Sequence, residues 1–115
     1  MSRQIMEEEI RDTDPHNSED INMVHNEKTL LYFSNTHDEP VTVEIKGAAV
    51  SDFQDKYTVL LGSFTLGAGD VNVTTKVETV TQPHAALRAV VTAQGVPTVG
   101  KVELFESSQR KWGMT

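Results

Sequence analysis

From residue 29 onward, apolar and polar side chains alternate with a period of two along several short runs. The clearest run reads VTVEIK over residues 41–46, where Val41, Val43 and Ile45 share one face. This alternation is typical of a half-buried β-strand, because successive side chains of a strand point to opposite faces. An amphipathic helix would instead repeat its apolar residues every three or four positions. The chain is therefore expected to fold as strands that cover a core with one face.

Similar runs recur at short intervals and are separated by clusters of glycine, proline and polar residues. Six or seven strands are expected within the runs 29–34, 41–46, 57–61, 64–66, 71–77, 87–91 and 101–106. This spacing, without a helical pattern between the runs, predicts an antiparallel β-sandwich or a small barrel over residues 27–106. The short polar turn at 35–40 suggests that the first two strands pair as a hairpin. A change of parity at Gly62-Ser63 predicts a bulge or bend there.

The first 26 residues differ from the rest in composition. They carry seven acidic and two basic residues, and so hold five of the seven net negative charges of the chain. Their apolar residues are few and scattered, too few to offset the entropy of ordering the segment alone. Residues 2–11 are compatible with a short helix capped by Ser2, which Asp14-Pro15 would end. We expect residues 1–26 to form an extended acidic arm, followed by the β-sandwich at 27–106 and a tail at 107–115.

Composition excludes several classes of protein. The chain has no cysteine, so it can form neither a disulfide framework nor a thiolate metal site. No apolar run approaches the ~20 residues of a membrane-spanning helix, and the N-terminus lacks a secretion or transit pattern. The net charge of −7 disfavours generic binding of nucleic acid, whose phosphates would repel the chain.

Candidate chemistry is sparse. The four histidines, at positions 16, 25, 37 and 84, show no HxH, HxxxH or HExxH spacing, although folding could bring His37 and His84 together. Asp12 and Asp14 begin a calcium-loop pattern that fails at the later positions. Gly67-Ala68-Gly69 leads into a strand, whereas a phosphate-binding glycine loop leads into a helix. We expect neither an enzyme nor a bound metal or cofactor.

The candidate partner-binding residues lie in the two terminal segments. They are the apolar residues of the expected arm together with a basic, tryptophan-bearing tail: Ile5, Met6, Ile10, Ile21, Met23, Arg110, Trp112 and Met114. Tryptophan and arginine are enriched at interaction hot spots, which favours a partner contact by the tail. The alternative is that the tail folds back and Trp112 caps the core of its own sandwich.

Two stretches carry a resemblance to a known group of proteins. In Leu30–Lys46 (LLYFSNTHDEPVTVEIK), an apolar strand ends in Asn and a short polar turn leads into a Val-x-Val-x-Ile strand. In Arg88–Phe105 (RAVVTAQGVPTVGKVELF), a strand and a Gly/Pro turn lead into the last strand. The core resembles the small β-sandwich auxiliary proteins, of the head-decoration type, of tailed-virus particles. The resemblance implies a protein that acts by binding, and it implies no catalytic residues.

The function expected from these features is that of a non-enzymatic virion protein. It would be made in the host cytoplasm and would bind the major capsid protein or other virion subunits through its terminal extensions, as a homo-oligomer on the capsid lattice. Two alternatives stay open. One is a carbohydrate- or peptide-binding sandwich, which would need exposed aromatic faces such as those of Phe53, Tyr57 and Trp112. The other is a self-assembling fibre subunit, in which the arm completes the sheet of a neighbour.

Overall fold

The computed structural model describes residues 2–21, 27–49, 57, 59–78 and 84–110, and these residues form strands and loops without a helix. Eight strands run in chain order, and the first two come from the segment that was expected to be an arm. They are β1 (Ser2–Glu8), β2 (His16–Asn17), β3 (Glu27–Asn35), β4 (Val41–Ala49), β5 (Val59–Leu66), β6 (Val73–Glu78), β7 (His84–Ala93) and β8 (Val102–Arg110).

The strands form two antiparallel sheets of four strands each. Sheet A has the order β1-β8-β3-β6, and sheet B has the order β2-β7-β4-β5. Sequential strands alternate between the sheets, apart from β4 and β5, which are neighbours in sheet B. This order is the jelly-roll arrangement, a sandwich built from two interleaved Greek keys. The expected all-β sandwich is confirmed, and because the two sheets are separate the barrel alternative is not.

Two local expectations need correction. The first two strands of the expected hairpin, β3 and β4, lie in different sheets, because the turn at 36–40 crosses from sheet A to sheet B. The expected bulge in β5 lies one residue earlier than the change of parity indicated. Ile45 pairs with Gly62 and Lys46 pairs with Leu60, so Leu61 is the extra residue.

The core lies between the sheets and receives side chains from the inward-facing positions of both. Its buried members are Ile5, Met6, Ile10, Ile21, Leu31, Phe33, Val41, Val43, Ile45, Leu66, Leu87, Ala89, Val91, Ala93, Val102 and Leu104. Phe33 of sheet A meets Phe64 of sheet B edge to face, with ring centroids 5.1 Å apart. The alternation of Val41, Val43 and Ile45 that predicted a half-buried strand thus places all three side chains in the core.

The extended acidic arm is not confirmed, because residues 2–21 belong to the sandwich. Residues 2–8 form a strand where a short helix was considered, and that strand pairs with β8 at the edge of sheet A. Residues 16–17 then pair with β7 at the edge of sheet B. The two edges are joined by a hydrogen bond of 2.8 Å, which the backbone N–H of Glu19 donates to the carbonyl of Ile5. This side of the sandwich is therefore closed by the N-terminal segment.

The search for membrane-spanning helices found no candidate within the described ranges.

Candidate interaction surfaces

Four of the predicted partner-binding residues lie in the core. Ile5, Met6, Ile10 and Ile21 are each at most 5 % exposed. Ile5 and Met6 are consecutive and would normally face opposite sides of a strand. The register of β1 against β8 skips Ile5, which is a bulge, and the bulge lets both side chains point inward. In this structure these four side chains stabilise the fold and have almost no surface to offer a partner.

The other predicted contacts are only partly within the described residues. Arg110 ends β8, where its backbone lies opposite Glu27 of β3. Met23, Trp112 and Met114 lie outside the described residues. Their contact with a partner, and the alternative that Trp112 caps the core, remain predictions.

Hydrogen bonds and ion pairs of Arg3 and Lys101 connect the acidic segment to the rest of the sandwich. Arg3 Nε donates to Glu106 Oε1 at 2.7 Å, and Glu106 is buried on the inward-facing side of β8. Arg3 also donates to the carbonyl of Asp20 at 2.9 Å. At the other end of β1, Lys101 Nζ lies 2.6 Å from Glu7 Oε2, and this hydrogen bond raises the pKa of the lysine. Composition alone does not reveal these contacts, because the two residues in each of them lie far apart in the sequence.

Of the connections that meet at one end of the sandwich, we call three together the loop end: residues 36–40, 67–72 and 94–101. Asn35, at the end of β3, is fully buried and joins two of them. Its side-chain amide donates to the carbonyls of Glu39 and Gly67, at 3.0 and 3.1 Å. Its backbone N–H donates to the carbonyl of Asp70 at 2.7 Å. A buried asparagine thus satisfies the backbone groups that the crossing between sheets leaves without a ladder partner.

His37 joins the third connection. Its imidazole is 2 % exposed, and its Nδ1 lies 2.8 Å from the carbonyl oxygen of Val99. Because a carbonyl can only accept, Nδ1 carries the hydrogen and donates it in this bond. Nε2 is buried and has no hydrogen-bond partner among the described residues. His37 therefore joins the connection at 36–40 to the one at 94–101 as a buried structural residue.

The connections are also fastened at the surface. Asp38 accepts from the hydroxyl of Thr98 at 2.6 Å and from its backbone N–H at 2.9 Å. These two bonds, the hydroxyl first, hold the pKa of the Asp38 carboxyl below its usual value. Thr36 and Lys101 exchange backbone and hydroxyl hydrogen bonds between 2.9 and 3.1 Å. These hydrogen bonds hold the connection at 36–40 against the one at 94–101.

Three valines are exposed on these braced connections. Val71, Val96 and Val99 are each more than half exposed. Val71 lies between Asp70, which is bonded to Asn35, and Asn72, whose N–H donates to Ser34 Oγ at 3.2 Å. The carbonyl of Val99 is the acceptor for His37. Fixed loops that present apolar side chains suit a docking surface, because little conformational entropy is lost on binding.

A second polar cluster involves Tyr57, Arg88 of β7 and Asp20. The Arg88 guanidinium stacks on the Tyr57 ring, 3.4 Å from its centroid, and the Tyr57 hydroxyl donates to Asp20 Oδ1 at 2.8 Å. Arg88 Nε is buried and lies 3.9 Å from the same oxygen, too far for a hydrogen bond. Burial is the main reason why the pKa of Tyr57 is raised. One face of this aromatic ring is thus occupied by the guanidinium.

The candidate metal ligands do not assemble within the described ranges. His16 Nε2 donates to Asp12 Oδ1 at 2.9 Å, and this bond is the largest cause of the lowered pKa of Asp12. The same oxygen accepts from the backbone N–H of Asp14. Among the described residues, no group of three or more His, Asp or Glu side chains is placed to hold a metal ion. His37 lies at the loop end, and His25 is outside the described residues.

Comparisons with protein-family models, with curated proteins and with solved structures found no match to this chain.

Proposed function

We propose that this protein is a non-enzymatic capsid decoration subunit, which binds the major capsid protein or another virion subunit through its loop end. The observation that carries the proposal is the combination of braced connections with exposed valines at that end. The jelly-roll order of the strands agrees with it, since viral capsid domains commonly have this fold. Because proteins with unrelated functions share this fold, the strand order alone does not assign the function, and the proposal depends on the surface at the loop end.

The loop end differs from the contact that the sequence suggested. Ile5, Met6, Ile10 and Ile21 are buried in the core, so the exposed side chains of residues 3–21 are mainly polar. Full burial of an exposed valine is worth about 1.5–3 kcal/mol, and because these valines are already nearly half buried, each contributes about half of that against a partner. A few such contacts give each subunit a weak affinity for its site, and the binding of many copies over a lattice provides the avidity. The tail residues Arg110, Trp112 and Met114 remain proposed additional contacts.

The two alternatives receive less support. Lectin domains also use the jelly roll, but a sugar platform needs free aromatic faces, and one face of Tyr57 is taken by Arg88. Phe53 and Trp112 lie outside the described residues. A fibre built by arm exchange needs a strand that leaves its own sheet, whereas β1 pairs with β8 of the same chain.

Co-sedimentation with capsids that lack the protein, prepared from the virus that encodes it, tests the proposal. We expect the wild-type chain to bind, and Val96→Asp or Val99→Asp to weaken binding at least about tenfold, which corresponds to 1.4 kcal/mol. Asn17→Asp, at an exposed position on β2 opposite Val90, adds the same charge on another surface and is the matched control. Denaturation of each variant in urea checks that its fold is intact.

Two results would overturn the proposal. One is that the wild-type chain does not associate with the capsids. The other is that the two valine variants bind as tightly as the Asn17→Asp control.

A further inference from the structure

The two open sides of the sandwich are protected very differently. On one side, the N-terminal segment links the edges of both sheets through the Glu19–Ile5 hydrogen bond. On the other side, the edge strands are β5 and β6, and among the described strands each of them pairs with a single neighbour, β4 and β3 respectively. An edge strand presents a row of N–H and C=O groups that can pair with another chain.

The sequence of β5 lacks the usual protection of an edge. Charged residues or proline commonly block pairing at an edge strand. β1 (SRQIMEE) has an arginine and two glutamates, β6 (VTTKVE) has a lysine and a glutamate, and β2 is only two residues long. β5 (VLLGSFTL) has eight residues without a charge or a proline. In a chain with a net charge of −7, it is the one long edge strand without a charged side chain.

β5 also exposes large apolar side chains. Leu60 is 54 % exposed and Leu61 is 45 % exposed. Both are exposed because the bulge at Leu61 interrupts the alternation of the strand. Beyond the bulge, residues 62–66 pair regularly with β4, with Ser63 and Thr65 exposed. The regular half can therefore extend the ladder, and the leucines lie at one end of it.

We propose that β5 pairs antiparallel with β5 of a second copy of this chain, which joins two B sheets into one continuous sheet. The absence of charge on β5 favours a second copy of the chain over a charged peptide as the partner at this edge. An antiparallel pair of β5 strands brings no charged residues together in any register, whereas β1 and β6 carry both signs of charge and could pair favourably with themselves only in registers that set opposite charges against each other. A charged peptide partner would find no opposite charge along this edge. The interface is two-fold and closes on itself, so the product is a dimer and not a fibre.

This pairing does not depend on the capsid proposal, because it is formed by the isolated protein. Analytical ultracentrifugation of the full chain, from micromolar to near-millimolar concentration, measures it. We expect a dimer whose proportion rises with concentration. Thr65→Glu places carboxylates along the shared edge, and we expect it to raise the dissociation constant of the dimer at least tenfold. Thr74→Glu on β6 adds the same charge to the neighbouring edge strand and leaves the dimer unchanged.

Cross-linking identifies the strand that pairs. The natural chain has no cysteine, so single cysteines can be introduced at Thr65 or at Thr74 and treated with a short bis-maleimide. We expect covalent dimers from Thr65→Cys and few from Thr74→Cys. A wild-type chain that is monomeric throughout the concentration range would overturn the proposal. A dimer that Thr65→Glu leaves intact, or an open-ended series of oligomers, would also overturn it.

Discussion

Gly100 lies where the backbone of two connections comes closest together. It has a φ of +79°, and a Cβ atom built there would collide with the backbone carbonyl of Thr36. Gly69 has nearly the same φ, +81°, but a Cβ atom there would meet nothing within 4 Å. The pair therefore separates the effect of backbone conformation from that of crowding at the loop end.

We expect Gly69→Ala to lower the free energy of unfolding by about 1–2 kcal/mol, the usual cost of a left-handed conformation for alanine. Gly100→Ala should lower it by clearly more, because the backbone of Thr36 must also move. Urea denaturation of the two variants measures the difference. Equal losses would mean that the loop end is not packed as closely as described.

The hydrogen bonds from Thr98 to Asp38 predict a dependence on pH. The lowered pKa of Asp38 means that these bonds stabilise the fold above the ordinary aspartate value of 3.8, and that the stabilisation is lost as the pH falls through the lowered value. Thr98→Val removes the hydroxyl bond and keeps the N–H bond. We expect wild type to be more stable than Thr98→Val at neutral pH, with a difference that shrinks below about pH 4.

Urea midpoints measured between neutral pH and pH 3 test this dependence. Thr74→Val, at an exposed position on β6, is the control, and its difference from wild type should not vary with pH. A constant difference for Thr98→Val over the whole range would contradict the role given to Asp38.

At the scale of the elements, the N-terminal segment is an integral part of the sandwich. Ile10 is fully buried in the core, while its neighbour Glu9 is exposed. Ile10→Ala should therefore lower the free energy of unfolding by about 2–5 kcal/mol, as for other large-to-small changes in a core. Glu9→Ala should change it by no more than about 0.5 kcal/mol. Equal, small effects in urea denaturation would mean that residues 2–21 are a dispensable arm after all.

The strands with clean alternation could be predicted from the sequence, and those with bulges or long-range partners could not. Val41, Val43 and Ile45 identified β4 because their period of two depends only on local sequence. β1 was missed because the bulge at Ile5 places two consecutive apolar residues in the core and removes the alternation. The crossing at 36–40 was interpreted as a hairpin because a short polar turn has the same composition whether it stays in one sheet or joins two. In this protein Asn35, just before the turn, is buried and bonds to the connections, and that burial is not visible in the sequence.

The loop end could be predicted even less, since its members come from three separate parts of the chain. Exposed valines such as Val96 and Val99 are ordinary turn neighbours in the sequence. Their common location depends on contacts of long range, such as that of His37 with the carbonyl of Val99. Only the glycine and proline residues of 95–100 marked this loop in advance as a turn.

At the scale of the whole molecule, the acidic residues that dominate the net charge of −7 do not form a separate tail, because residues 2–21 are part of the sandwich. Glu7 pairs with Lys101, so one N-terminal carboxylate is neutralised from outside the segment, and Arg3 in turn pairs with Glu106 of β8. The two ends of the jelly roll and its two sides therefore have different roles. The N-terminal segment closes one side, β5 has no second neighbour among the described strands on the other side, and the loop end presents apolar side chains on braced connections.

The most direct test of docking by the loop end is amide hydrogen exchange, measured on the free protein and on the protein bound to capsids. The account predicts slower exchange on binding for residues 67–72 and 94–101, with little change for β1, which is already paired with β8. Protection confined to β1 and β2, with the two loops exchanging as in the free protein, would contradict it.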